Sequence, residues 1–324
     1  MRKIVALILC LMLAVSCIPA MAEEAVAVKT GLSISTSMAA AKNGGVQVTL
    51  NLTAVTVDDN GVIDACVIDS IQATVGVDAA GQLTTDPATL FQSKNELGDG
   101  YGMRGVSSIG AEWNEQAAAF AAYCVGKTID EVKAMPVTES GAPADADLAA
   151  GCTMGAYNFL PGVEDAVNKA QHMGAKKGDT LKLAHVTSAS GSASASAEAN
   201  GKTQVYATIG AATFNGEVIT SCTIDAVQAN AAFDATGAVT SDLTAPVASK
   251  NELGDAYGMR KASAIGAEWN EQAAGFCTYV TGKTLAEVSG IAVNEGGYPT
   301  DADLTATTTM GIGDFLSLME KLGK

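Results

Sequence analysis

The stretch Ser93 to Phe120, SKNELGDGYGMRGVSSIGAEWNEQAAAF, returns at Ser249 to Phe276 as SKNELGDAYGMRKASAIGAEWNEQAAGF. At a shift of 156, 23 of the 28 positions are identical; the exceptions are 100/256, 105/261, 106/262, 108/264 and 119/275. A chain that repeats itself folds into two similar units, so the repeat constrains the architecture before any element is assigned. Upstream of the block the shift is 157: Asn43-Gly44 matches Asn200-Gly201, and Gln47-Val48 matches Gln204-Val205. From Cys66 and Cys222 onward it is 156, so the second copy has lost one residue where Asp58-Asp59-Asn60-Gly61 becomes Asn215-Gly216. A hairpin tip is where a sheet best tolerates a deletion. The copies span about 27–173 and about 184–324, with a linker at 174–183 that contains the Gly- and Lys-bearing stretch Gly174 to Asp179. Each copy is long enough to bury its own core.

Each copy opens with strand patterns. Leu32, Ile34 and Met38 alternate within Gly31 to Ala41, followed by an Asn-Gly turn and Val46 to Val57, then a second Asn-Gly turn and Val62 to Val75. Period-two alternation, β-branched residues and Asn-Gly turns predict a three-stranded antiparallel meander. Copy two supplies Gln204 to Phe214 and Val218 to Val227. Its first strand is expected at Ser188 to Glu198, SASGSASASAE, the partner of Gly31 to Ala41 in the repeat, although composition alone would make it a flexible linker.

The repeated block then changes period. Helices are expected at Ser108 to Val125 and Ala264 to Thr281. Ile109, Trp113, Ala117, Phe120 and Cys124, or Ile265, Trp269, Ala273, Phe276 and Val280, form an apolar stripe. Glu112, Asn114 and Glu115 lie off that stripe, on a face expected to be solvated. Gly126 and Gly282 stop these helices, and Thr128 to Glu131 and Thr284 to Glu287 are capping boxes for short second helices. The segments following Asp145-Ala146-Asp147-Leu148 and Asp301-Ala302-Asp303-Leu304 are expected as short closing strands. A final helix follows each, near Asn158 to Gln171 with Pro161 in its first turn, and near Asp314 to Leu322. The expected fold class is α+β: two tandem homologous lobes, each an antiparallel sheet (a β-meander plus a closing strand) backed by helices, with contact between the lobes.

Met1-Arg2-Lys3, an apolar run from Ile4 to Val15 and Ala20-Met21-Ala22 make a secretory signal peptide over 1–22, with cleavage after Ala22. The run is shorter than the roughly 20 residues of a membrane span. Ala14-Val15-Ser16-Cys17 gives a second reading, a lipoprotein anchored at Cys17. Either places the protein outside the cytoplasm, secreted or on the cell surface, with no membrane span after the leader. Without Arg2 and Lys3 the 19 basic residues become 17 against 35 acidic ones, a net charge of −18. That surface argues against nucleic acid as a partner. Cys66, Cys124, Cys152, Cys222 and Cys277 remain after the leader, an odd count without regular spacing. Cys66 and Cys222 match between copies and are expected as buried free thiols. Cys124 and Cys277, three positions apart in repeat coordinates, leave open a disulfide between the halves. His172 and His185 are isolated, so no Ser-His-Asp triad can serve both lobes and no metal-ligand cluster is evident.

Asp147-Leu148-Ala149-Ala150-Gly151-Cys152-Thr153, after a strand-rich segment and before a terminal helix, resembles the D-x-x-S-G-A-T end of the FMN-binding-domain family of extracytoplasmic bacterial proteins. Asp147, Gly151 and Thr153 carry the motif, and Ala150 and Cys152 depart from it. In copy two Asp303 and Thr309 match, whereas Thr307 replaces the Gly. The resemblance implies FMN as cofactor, with covalent attachment at Thr153 and a weaker case at Thr309, because close approach to a phosphate favours Gly. It covers most of each lobe in element order.

The polar part of the block has two readings. In one, Tyr101, Met103 and Trp113 wall a flat ligand, Lys94 and Arg104 meet its anionic group, and Glu96 and Asp99 orient it; Tyr257, Lys250, Arg260, Glu252 and Asp255 repeat the arrangement. In the other, these residues pair among themselves to fix the loop. On the first reading the loop and the strand ending at Thr153 face one cleft. The expected function is a secreted or cell-envelope flavin-based electron carrier with a redox partner at the envelope. The alternative is a non-catalytic binding or structural envelope protein that has lost the flavin; a stand-alone enzyme is disfavoured because no catalytic constellation assembles.

Overall fold

In the computed structural model, which describes residues 26–324, the first meander forms as β1 (Ala27–Ala40), β2 (Val46–Val57) and β3 (Ile63–Val75), all antiparallel. The leader, its cleavage point and Cys17 lie outside the described residues. Short helices α1 (Lys94–Leu97), α2 (Trp113–Cys124), α3 (Ile129–Lys133), α4 (Ala146–Gly151) and α5 (Leu160–Lys169) follow, and β4 (Gln171–Lys176) returns to pair with β1. Lobe two runs β5 (Thr180–Ser188), β6 (Gly201–Asn215), β7 (Val218–Phe233), α6 (Lys250–Leu253), α7 (Trp269–Val280), α8 (Leu285–Ser289), α9 (Ala302–Thr305) and α10 (Gly313–Leu322). The sheet orders are β3-β2-β1-β4 and β5-β6-β7, so the fold is α+β with two antiparallel sheets backed by helices. No helix among the described residues is long and apolar enough to cross a membrane.

The two sheets pack on each other. Leu50, Leu52, Ile71 and Ala73 from one meet Val205, Ala207, Ile209 and Val227 from the other in a single buried cluster. The opposite face of each sheet carries helices: Val55, Ile63 and Ile68 lie against Trp113, Phe120 and Val163, and Ile219, Cys222 and Ile224 against Trp269, Phe276 and Leu318. The order is therefore helices, sheet, sheet, helices. Burial on both faces explains why Leu52 through Val57 is buried without alternation. Aromatic edges add to it: Trp113 and Trp269 meet Phe159 and Phe315 at centroid distances of 5.8 Å in both lobes.

Several expectations are corrected. The Ser/Ala stretch Ser188 to Glu198 is not a strand beyond Ser188; β5 precedes it. Ala54 and Ala211, equivalent at a shift of 157, pair with Leu32 and Leu183, which are 151 apart. The strand has slid by six residues, which places Leu181 and Leu183 rather than small Ser and Ala against the core. The 174–183 segment is no free linker, since it contains the end of β4 and the start of β5. Both closing strands are replaced by helices: Asp145 accepts the N–H groups of Asp147 and Leu148, and Asp301 those of Asp303 and Leu304. An aspartate cap at the start of a small-residue run wins over strand pairing there. The long helices begin at Trp113 and Trp269, not Ser108 and Ala264, which leaves Ile109 and Ile265 at 36% and 39% exposure, outside the stripe. The capping boxes at Thr128 and Thr284 form as expected.

Candidate functional site

The repeated block closes on itself through polar contacts. Ser93 caps α1, and the Glu96 carboxylate accepts the Ser93 N–H in return. Asn95 donates its N–H to Asp69 and its side-chain amide to the Ile68 carbonyl, fastening α1 to β3. Glu112, expected on a solvated face, is 1% exposed: its two oxygens accept the N–H groups of Met103 and Arg104 at 2.9 and 2.8 Å. Gln116 donates to Ser107 and the Ala111 carbonyl and accepts from the N–H groups of Thr153 and Met154. Glu268 and Gln272 repeat these bonds in lobe two. The identity of the block therefore has a structural cause, because each of these residues holds backbone groups that would otherwise be unpaired.

Within this frame the guanidinium of Arg104 is engaged by Asp99 at 2.6 Å, by Glu115 at 3.1 Å and by the Gly110 carbonyl at 2.8 Å. Arg260 is held in the same way by Asp255, Glu271 and the Gly266 carbonyl. Neither guanidinium is left free for the expected ligand anion. Glu96 and Glu252 are also diverted from that role. Glu96 reaches across to His185 at 3.0 Å and Lys321 at 2.6 Å, and Glu252 reaches Lys169 at 3.0 Å. The turn glutamate of each lobe thus meets the last helix of the other. Burial pushes the Glu96 carboxyl up, but hydrogen bonds from His185, Lys321 and the Ser93 N–H outweigh it and bring it down to about 2.

Lys94 and Lys250 stand apart. Both are buried, and no carboxylate forms an ion pair with either ammonium among the described residues. The Lys94 ammonium lies 4.7 Å from the Tyr101 ring centroid and 4.8 Å from that of Trp113. Lys250 lies 4.6 to 4.7 Å from Tyr206, Tyr257 and Trp269 and donates to the Tyr206 hydroxyl at 3.0 Å. Burial pulls the Lys250 ammonium down to about 8, despite the opposing pull of Asp225 and Asp314. Cation–π contact of this kind is worth about 2 kcal/mol when desolvated and does not cancel the charge.

A cleft opens beside each cage, between the outer face of the sheet and the helices. The first, of about 250 Å³, is lined by Asn51, Asp69, Trp113, Asn158 and Phe159 among others, and the second, of about 300 Å³, by Thr208, Trp269, Asp314 and Phe315. Asn51/Thr208, Trp113/Trp269, Asn158/Asp314 and Phe159/Phe315 are repeat equivalents, so the fold builds the same cleft twice. The copies differ in charge, since Asn158 stands where lobe two has Asp314. Burial raises the Asp314 carboxyl.

The chain matches no family model, no curated protein and no solved structure.

None of the motif residues Asp147, Gly151, Thr153, Asp303 and Thr309 lines either cleft. Asp147 and Asp303 are exposed in the first turns of α4 and α9. The hydroxyls of Thr153 and Thr309 lie 3.4 and 3.3 Å from Gln116 and Gln272. Gly151 faces α2, where an added Cβ would lie 2.9 Å from Ala119 Cβ. Its lack of a side chain serves helix packing. Residues missed by sequence reasoning are Tyr206, Asn158 and Asp314; Tyr206, which follows the matching Gln204-Val205 where copy one has Thr49, was the available signal. A larger cavity of about 970 Å³ lies between the lobes, but its cation Lys169 is already paired with Asp165 and Glu252.

Proposed function

We propose that this protein is an extracytoplasmic binding module with one cleft per lobe for a planar anionic ligand, and that FMN, implied by the sequence resemblance, is that ligand. One observation carries the reading. In both lobes a buried lysine without a carboxylate partner stands over the tryptophan that walls a cleft. An unneutralised cation beside an aromatic wall favours a flat anion, which supplies both charge and stacking surface. Lys94, Tyr101 and Trp113 would hold it in lobe one, and Lys250, Tyr206, Tyr257 and Trp269 in lobe two. Clefts of 250 to 300 Å³ fall at the small end of ligand sites, suited to a ring system. When bound, the flavin supplies reversible electron transfer, and the protein would act as a carrier for a redox partner at the cell envelope.

The donor set fits reversible binding better than esterification. Covalent attachment at Thr153 requires its hydroxyl to leave Gln116, and Thr309 carries the same constraint. A second reading, an envelope binding or structural protein without flavin, is favoured by the self-sufficiency of the polar loop, whose arginines and glutamates are fully used within the protein.

The test is a titration of the purified protein with FMN, followed by quenching of flavin fluorescence. Lys94→Met and Lys250→Met should each weaken it, and the double variant should abolish it. An absence of quenching by the unmodified protein would remove the flavin reading. A visible spectrum and intact mass after co-expression with a flavin transferase separate covalent from reversible binding, with Thr153→Ala as the control.

A further inference from the structure

The two clefts differ at a pair of adjacent positions. Tyr157-Asn158, in the turn ahead of α5, stands where lobe two has Gly313-Asp314, and all four residues line their clefts. The Tyr157 side chain is 68% exposed, so core packing does not explain it. Its ring lies over two glycines: a Cβ added at Gly155 would run into the ring, and one at Gly141 would stand 3.1 Å from it. Both glycines recur in lobe two as Gly311 and Gly297, and both line the cleft there, but no ring covers them. A Cβ added at Gly311 would have only the carbonyl oxygens of Gly297 and Gly296 near it, at 3.9 and 4.0 Å. Tyr298, which stands where lobe one has Ala142, is no replacement, because its ring lies beside Gly296 and does not line the cleft. Tyr206 does line cleft two, but its hydroxyl accepts from the Lys250 ammonium at 3.0 Å and its ring belongs to the lysine cage.

We infer that Tyr157 and Asn158 make cleft one the tight site, with the planar anion held between Trp113 and Tyr157, and that Gly313 and Asp314 leave cleft two a weak one. The inference rests on the reading of the clefts as planar-anion sites. Three differences act in the same direction. A second exposed ring adds stacking surface at the mouth of cleft one. Asn158 offers an amide where Asp314 sets a carboxylate against an incoming anion, and like charges so placed cost affinity. The Lys250 ammonium is also shared with the Tyr206 hydroxyl, whereas lobe one has Thr49 at that place. Asp69 lines cleft one as well, but it does not distinguish the lobes. It accepts the N–H groups of Ser70 and Asn95, and its equivalent Asp225 accepts those of Ala226 and Asn251.

The test is fluorescence titration with FMN of two single-site proteins, Lys250→Met, which leaves cleft one, and Lys94→Met, which leaves cleft two. Cleft one should bind about tenfold more tightly. Tyr157→Ser in the Lys250→Met protein should lose about that factor, and Tyr157→Phe, which keeps the ring, should restore it. The urea midpoint should stay in place in both, because the side chain is exposed. Gly313→Tyr combined with Asp314→Asn in the Lys94→Met protein should gain a similar factor. In the otherwise unmodified protein, Tyr157→Ser should remove the tighter of two binding phases, a readout that needs no lysine variant. Equal affinities at the two clefts, or no loss on Tyr157→Ser, would overturn this inference and leave the planar-anion reading standing. An absence of quenching by the unmodified protein would remove both.

Discussion

Thr307 occupies the space that Gly275 leaves empty: a Cβ added at Gly275 would lie 2.7 Å from the Thr307 Cβ. In lobe one the sizes are exchanged, with Gly151 opposite Ala119 across the equivalent contact. The loss of the motif glycine in copy two is therefore a compensated packing change between α7 and the segment just after α9. It also explains why position 119/275 is one of the five that differ in the repeated block.

Gly275→Ala should accordingly destabilise the protein. Overpacking costs about 1–3 kcal/mol, from which about 1 kcal/mol of gained helix propensity is to be subtracted. Adding Thr307→Gly should restore stability by recreating the lobe-one pair. Urea unfolding of both single variants and the double variant checks this, and additive effects would show that the two positions are not coupled.

Gln272 is 1% exposed and holds the N–H groups of Thr309 and Met310 with one oxygen. Gln272→Leu keeps the volume and strands both donors, for an expected loss of about 2–4 kcal/mol. Gln116→Leu should cost a similar amount in lobe one. A loss below about 1 kcal/mol for either would mean that water replaces the amide.

Glu96 has a folded pKa of about 2, below its ordinary 4.5, so the folded state binds fewer protons between those values. The stability it contributes is complete above pH 4.5 and disappears as pH falls through about 2. Glu96→Gln should cost about 1–2 kcal/mol at neutral pH, solvent screening keeping it to that range, and should flatten the acid limb of the stability profile. Unfolding midpoints measured from pH 6 down to 2 test this; an unchanged slope would remove Glu96 as the acid-sensitive group between the lobes.

Lys250 loses its proton near pH 8 because burial disfavours the charged form. If the lobe-two cleft binds a planar anion, affinity there should fall about tenfold as pH rises from about 7 to 9. Lys250→Met should remove that dependence, and Asp314→Asn should tighten binding by deleting a nearby carboxylate. Fluorescence titrations of the Lys94→Met protein, which isolates lobe two, would report it. A flat profile in that protein would separate Lys250 from the ligand.

Much of the fold was legible locally. Trp113, Ala117, Phe120 and Cys124 line a buried helix stripe as their spacing indicated, and Thr128 and Thr284 cap helices as their sequence signature required. The lobe-one strands form where their β-branched residues and Asn-Gly turns placed them, whereas β5 of lobe two does not. The candidate site was legible only in part. Lys94, Tyr101 and Trp113 come together, whereas Arg104, Asp99 and Glu96 are claimed by internal partners that lie up to 225 positions away in the chain. A charged residue looks the same in sequence whether it meets a ligand or a distant backbone amide, so Glu112 passed for a surface group.

What the sequence determined by itself is the doubling: two units of one plan, with strand and helix periods recurring at the same shift, because local periodicity encodes which residues must leave water. The tertiary structure alone decided what covers them. The second face of each meander is buried by the other lobe, and a Ser/Ala run yields its place to β5 because Leu181 and Leu183 bring apolar volume to the sheets that Ser and Ala lack. The repeated block that organised the sequence became a self-bonded frame. Its buried lysine without an ion-pair partner in each lobe, Lys94 or Lys250, is set over a tryptophan by contacts that no local pattern records.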